Sequence, residues 1–142
     1  MTWISASFKG LNSSTHTIVG GTTTRSGGFS QGQYQGLNVG EHVGDDAASV
    51  AQNRNALVTM LGLPNPPLWL QQTHGCDIVE INRDGYYTDS QDGILPVVQQ
   101  GVPEADASFT RTPGAVCCVM TADCLPILLT DVDGQVVGAI HA

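Results

Sequence analysis

Three residues could hold a metal ion between them: His74, Cys124 and His141, separated by 50 and then 17 positions. Each stands at or just beyond the end of a segment whose composition favours a strand, and strand ends are where side chains from distant parts of a chain converge. Two imidazoles and one thiolate make a borderline-soft donor set that suits Zn²⁺ and is also open to copper. Three protein ligands leave a fourth position for water or substrate, as catalytic zinc requires. The spacing alone does not impose that geometry, because no local CxxC or HExxH fixes two ligands on one turn. The competing reading of the same residues is structural: Cys124 as a small buried hydrophobe and the histidines as hydrogen-bonded strand-end residues.

Other reactive types lie nearby. Cys76, two residues after His74, is a rival ligand, alone or in a cysteine-rich site with Cys117 or Cys124. Cys117 and Cys118 are adjacent in a strand-like segment, must face opposite sides, and read as core. Asp123 is either a carboxylate that orients a ligand histidine or moves a proton, or a turn residue capping the backbone. Arg25 beside Ser26-Gly27-Gly28 sets a cation next to flexible backbone N–H groups, which can cradle a phosphate or carboxylate; an ordinary loop with a solvated arginine has the same signature. Asn38 and His42 are, on their own, polar residues near a turn.

The elements that must position these groups are legible in outline. Residues 16–24 are rich in Thr, Val and Ile and predict a strand running into the glycine-rich loop 25–36. Asp45 and Asp46 offer an N-cap for a helix over 47–61, with Val50, Leu57, Met60 and Leu61 on one face and Gly62 and Pro64 as stop signals. Segments 68–74, 77–81, 115–121, 125–130 and 135–141 all read as strands, with Asp133-Gly134 as a hairpin signal between the last two. Residues 82–103 predict a long surface excursion. The chain ends one residue past His141, and a strand ending without a turn or cap is what a truncated piece would show.

Composition bounds the rest. The 142 residues are 41% hydrophobic and 13% charged, which fits one globular domain. Thirteen acidic against five basic side chains give a net charge of −8, which argues against nucleic acid as a partner. No apolar run approaches the roughly 18 residues that span a bilayer, and the N-terminus lacks the order of a signal peptide, so the expectation is a cytoplasmic protein with no membrane partner. The four cysteines then read as thiols or metal ligands rather than disulfides. Several strands with one clear helix and no repeated βαβ pattern indicate an α+β fold with a mixed, largely antiparallel sheet.

The ordered segments TTTRSGGFS, GLNVGEHVGDD, NRNAL, LWLQQTHGCDIV, EADASFTRTPGAVCCVMTADCLPILL and VVGAIHA together resemble the YfiH family, also called the laccase-domain or polyphenol-oxidase-like family. The resemblance implies that residues 1–142 are a single laccase-type domain with a layered α/β/β/α arrangement. It also implies Zn²⁺ on the histidine of QxHG, the cysteine of TADC and the histidine of AxHA, here His74, Cys124 and His141. Arg25 and Asn38 match the family's TRxGG and LNxG positions and become expected pocket residues. Members continue past the second histidine with a GWRG segment and a further half-domain, so a missing C-terminal half or a second chain is an expected partner.

The activity implied is that of a purine nucleoside enzyme: phosphorolysis of adenosine, inosine and methylthioadenosine, and deamination of adenosine, with phosphate or water as the second substrate. Arg25 and Asn38 would position an anionic or ribosyl group, and Asp123 or a histidine would move the proton. Three alternatives remain open. Cys124 could attack an amide with His141 as base, in the editing of peptidoglycan precursors. Copper at the same ligands would point to phenol oxidation. The chain could also be a non-catalytic zinc-binding module.

Overall fold

The computed structural model describes residues 1–12, 17–83, 85, 87–88 and 101–142. They form an α+β fold that divides into two compact units, Met1–Ser7 with Val19–Pro66, and Phe8–Ile18 with Pro67–Ala142. Among the described residues no helix is long and apolar enough to cross a membrane.

In the first unit, β1 (Trp3–Ser5) pairs antiparallel with β2 (Gly21–Thr23), shorter than the strand expected over 16–24, whose His16 lies outside the described residues. Helix α1 spans Ala47–Leu61, as its caps dictate. The Asp46 carboxylate accepts hydrogen bonds from the Ser49 amide at 2.8 Å and hydroxyl at 2.9 Å, satisfying a donor that the first turn leaves orphaned. Gly62 closes the other end in the left-handed conformation (φ 58°), which costs a glycine nothing. The buried face is Val50, Asn53 and Leu57; Met60, expected on that face, is 42% exposed in the last turn.

The second unit is a five-stranded sheet in the order β4-β3-β5-β7-β6, from β3 (Ile78–Ile81), β4 (Tyr87–Thr88), β5 (Ala107–Thr110), β6 (Pro126–Thr130) and β7 (Val137–His141). Only β3 and β5 run parallel, so the sheet is mixed and largely antiparallel. Val79 and Ile81 alternate inward on β3 and join Leu70 and Ala105 in the core, with Leu68, Cys117 and Val119 packed against it. Each large aliphatic buried there contributes about 1.5–3 kcal/mol. The β6–β7 turn is tied by the Asp131 carboxylate, which accepts the Gln135 and Val136 amides, while Gly134 takes a positive φ.

Two expected strands are not strands. Segments 68–74 and 115–121 form no ladder and pair as β-structure only at isolated bridges, Leu68 with Cys117 and Gln71 with Glu104. Their backbone groups are taken partly by single backbone bonds, such as the Leu68 N–H to the Val116 carbonyl and the Gln71 N–H to the Pro103 carbonyl, and partly by side chains. The Gln72 amide accepts from the Met120 N–H at 2.6 Å and donates to its carbonyl at 2.8 Å, acting as a substitute strand. Conversely β5, unmarked by any apolar alternation, lies at the centre of the sheet. β4 falls inside the expected surface excursion, of which residues 84, 86 and 89–100 lie outside the described residues.

Candidate metal centre

Strand register builds the site. Ala107 pairs with Ile140, so the next pair outward is Asp106 with His141, joined through the backbone by the His141 N–H to the Asp106 carbonyl at 2.8 Å. Cross-strand partners share a face, which brings the Asp106 carboxylate to 2.8 Å from His141 Nδ1. Both side chains are buried, 3% and 6% exposed. On the other side of β7, Leu125 and Ala142 exchange both backbone hydrogen bonds beyond the last β6 pair, which fixes Cys124 just past the strand end.

His74 arrives from a turn. Its φ is 58°, the only positive value at a non-glycine among the described residues. The turn is held by Asp106, whose Oδ2 accepts the Thr73 and Gly75 amides at 3.1 and 2.7 Å, while Oδ1 accepts the His74 amide at 3.0 Å. Burial would raise the Asp106 carboxyl, but hydrogen bonds from His141 and from the Gly75, Thr73 and His74 amides outweigh it and hold it down to about 2.

The result is that one ligand atom each from His74, Cys124 and His141 lies within 4.8 Å of the others. The two imidazoles meet edge-on, with centroids 4.7 Å apart and planes at 73°. Two imidazoles and a thiol this close together are a donor set that would fit one zinc ion. His74 is exposed, which opens the cluster to solvent.

The remaining residues of interest divide. Asp123 is exposed, with Oδ1 3.9 Å from the Cys124 thiol; among the described residues the acid paired with His141 is Asp106. Cys76 is exposed and outside the cluster. Cys117 packs on the core, where burial pushes its thiol up to about 11, and Cys118 lies 3.1 Å from the Leu68 carbonyl. The residue that sequence reasoning missed is Asp106, whose only signal is an acid set between two alanines at the mouth of a strand.

In the first unit Arg25 lines an open groove of about 460 Å³ with Ser26, Gly27, Gly28 and Gln35, and donates to the Gln35 carbonyl at 2.9 Å. The loop is tight enough that a side chain on Gly36 would collide with the Arg25 carbonyl. Asn38 is committed within its loop: its amide nitrogen donates to Asp45 at 2.9 Å and its oxygen accepts the Gly40 amide at 3.1 Å.

Residues 19–142 match the family described as multi-copper polyphenol oxidoreductase laccase. The chain belongs to this family, the YfiH family of the resemblance. It is 44% identical to a purine nucleoside phosphorylase of Haemophilus influenzae over 121 residues, 85% of this chain and 43% of that one. To the Escherichia coli purine nucleoside phosphorylase YfiH it is 40% identical over 85% of this chain and 44% of the other. Among solved structures it is similar to the Neisseria meningitidis protein NMB0706, with 37% identity and a TM-score of 0.73 over 99% of this chain and 50% of that one. YlmD from Geobacillus stearothermophilus gives 35% and 0.67 over 87% and 44%. The chain thus spans under half the length of the curated YfiH relatives it matches.

Proposed function

We propose that this chain carries the metal centre of a purine nucleoside enzyme, with Zn²⁺ held by His74, Cys124 and His141. The observation that carries the reading is the convergence of those three ligand atoms within 4.8 Å, together with relatives named purine nucleoside phosphorylase. One soft and two borderline donors with a free fourth position fit a catalytic zinc, which when bound supplies Lewis acidity and an activated water. Copper is the alternative ion at the same donors.

In phosphorolysis, the phosphate oxygen bonds to the anomeric carbon as the bond from that carbon to the purine nitrogen breaks, giving ribose 1-phosphate and the free base. Arg25 and the glycine-rich groove are proposed to bind the phosphate, and Asn38 to brace that loop through Asp45. Asp123, solvent-exposed beside Cys124, is the proposed proton carrier. The substrates proposed are adenosine, inosine and methylthioadenosine, with deamination of adenosine as a second reaction. Four free cysteines fit a reducing compartment, and we place the activity in the cytoplasm.

A second reading rests on one contact. The Asp106–His141 pair at 2.8 Å, with Cys124 beside it, also has the parts of a Cys-His-Asp hydrolase, in which His141 would take the thiol proton. Metal content by mass spectrometry on the wild type and Cys124→Ala, with adenosine turnover measured with and without phosphate, separates the two. Near one zinc per chain, lost with turnover in the variant, is expected, and a chelator should then abolish activity. Activity that survives the chelator sinks the zinc mechanism and leaves the thiol hydrolase.

A further inference from the structure

We infer that Asp106 is the positioning residue of the metal centre, holding both histidines in place; the inference rests on the reading of His74 and His141 as ligands. A single buried carboxylate makes five contacts. Oδ1 accepts from the His74 amide at 3.0 Å and lies 2.8 Å from His141 Nδ1; Oδ2 accepts from the amides of Thr73 and Gly75 and from the Thr73 hydroxyl at 3.3 Å. Three consecutive amides converging on one acid make the turn that presents His74, in a backbone conformation an ordinary side chain avoids.

The contact to His141 does something different in kind. A carboxylate with no proton of its own can only accept, so the imidazole must place its hydrogen on Nδ1. In the neutral imidazole, the form that binds a metal, Nε2 is then bare, and its lone pair is the one left to coordinate an ion. The other tautomer would put a hydrogen on Nε2 and block coordination. Asp106 therefore sets the chemical form of one histidine and the backbone of the other. No other acid among the described residues touches either ring: Asp123, the acid next to Cys124 in sequence, reaches only the thiol.

Asparagine at this position keeps the shape and changes the chemistry. Its oxygen can still take amides of the 73–75 turn, but its NH₂ then faces His141 Nδ1 as a donor, which drives the imidazole hydrogen to Nε2. The test is nitrogen NMR of His141 in the metal-free protein, wild type beside Asp106→Asn, with zinc affinity by chelator competition and circular dichroism as the check on folding. The expected result is Nδ1–H in the wild type, Nε2–H in the folded variant, and zinc binding weakened about 10- to 100-fold. Asp106→Glu, which keeps the acceptor, should retain the wild-type tautomer.

A folded Asp106→Asn with wild-type zinc affinity overturns the inference. Should that variant not fold, the wild type alone decides: Nε2–H on His141 in the metal-free protein overturns it as well, and Nδ1–H supports it. Absence of zinc binding by the wild type defeats the metal reading instead, while the tautomer still reports whether Asp106 sets the imidazole.

Discussion

Each unit of the molecule contains a carboxylate that gathers a loop, and the two differ in what their partners have left over. In the first unit Asp45 accepts from the Ser30 hydroxyl at 2.6 Å, the Asn38 amide at 2.9 Å and the Asp46 backbone at 2.8 Å. Behind it Asn53, wholly buried, accepts from the Phe29 amide and donates to Ser30 and to the Asn38 carbonyl. Every donor there is consumed inside the knot. In the second unit the donors to Asp106 include an imidazole with a second nitrogen and the amide of His74, whose exposed ring stands edge-on to that imidazole. A hydrogen-bonded acid marks a reactive site only when the groups it orients still have something to offer.

If that distinction holds, damage to the first knot should cost stability and spare the metal. Asn53→Ala leaves the Phe29 amide and Ser30 hydroxyl without their buried partner and opens a gap in the helix face, for an expected loss of about 3 kcal/mol in urea unfolding. Zinc affinity measured under folding conditions should not change. A parallel fall in zinc affinity would show that the two knots are not independent.

A gentler probe is Asp45→Asn. Hydrogen bonds from Ser30 and then Asn38 hold the Asp45 carboxyl below its ordinary 3.8, against the opposing effect of burial. A depressed acid contributes stability that is complete above the unfolded value and lost as the pH falls through the folded one. Unfolding curves collected from pH 5 downward should therefore lose stability less steeply in the variant than in the wild type. Identical acid profiles would mean that Asp45 is not a charged anchor of its loop.

These contrasts also explain what could be read in the chain beforehand. Helix α1 was legible to its last residue because its caps, Asp46 and Gly62, are local. β3, β6 and β7 were legible because their apolar and β-branched residues are local too. The trio of candidate ligands was visible through residue type and position at strand ends, and the structure brings the three side chains together. Asp106 was not visible, because its meaning depends on the pairing of β5 with β7 and on a turn 31 to 33 residues away. Segments 68–74 and 115–121 misled for a related reason: their composition favours a strand, but a glutamine side chain takes the place of the neighbouring backbone. Asn38 stood out only through the family resemblance, and its side chain bonds Asp45 and the Gly40 amide.

The smallest expected effect tests the same contrast at the backbone. Wherever the first unit needs a positive φ it uses glycine, as at Gly27, Gly28, Gly36 and Gly62; at His74 the second unit uses a side chain that pays for the conformation. The left-handed region costs a residue with a Cβ about 1–2 kcal/mol, so His74 stores strain that three amide bonds to Asp106 offset. Comparing His74→Gly with His74→Ala isolates that cost, since both remove the exposed ring and only one removes the Cβ. The glycine variant should unfold about 1 kcal/mol later than the alanine variant, less than the full strain because glycine is also freer when unfolded. Both should lose zinc alike. Equal stability of the two variants would mean that the turn holds no strain at His74, and that the protein gives up nothing in its backbone to aim a ligand.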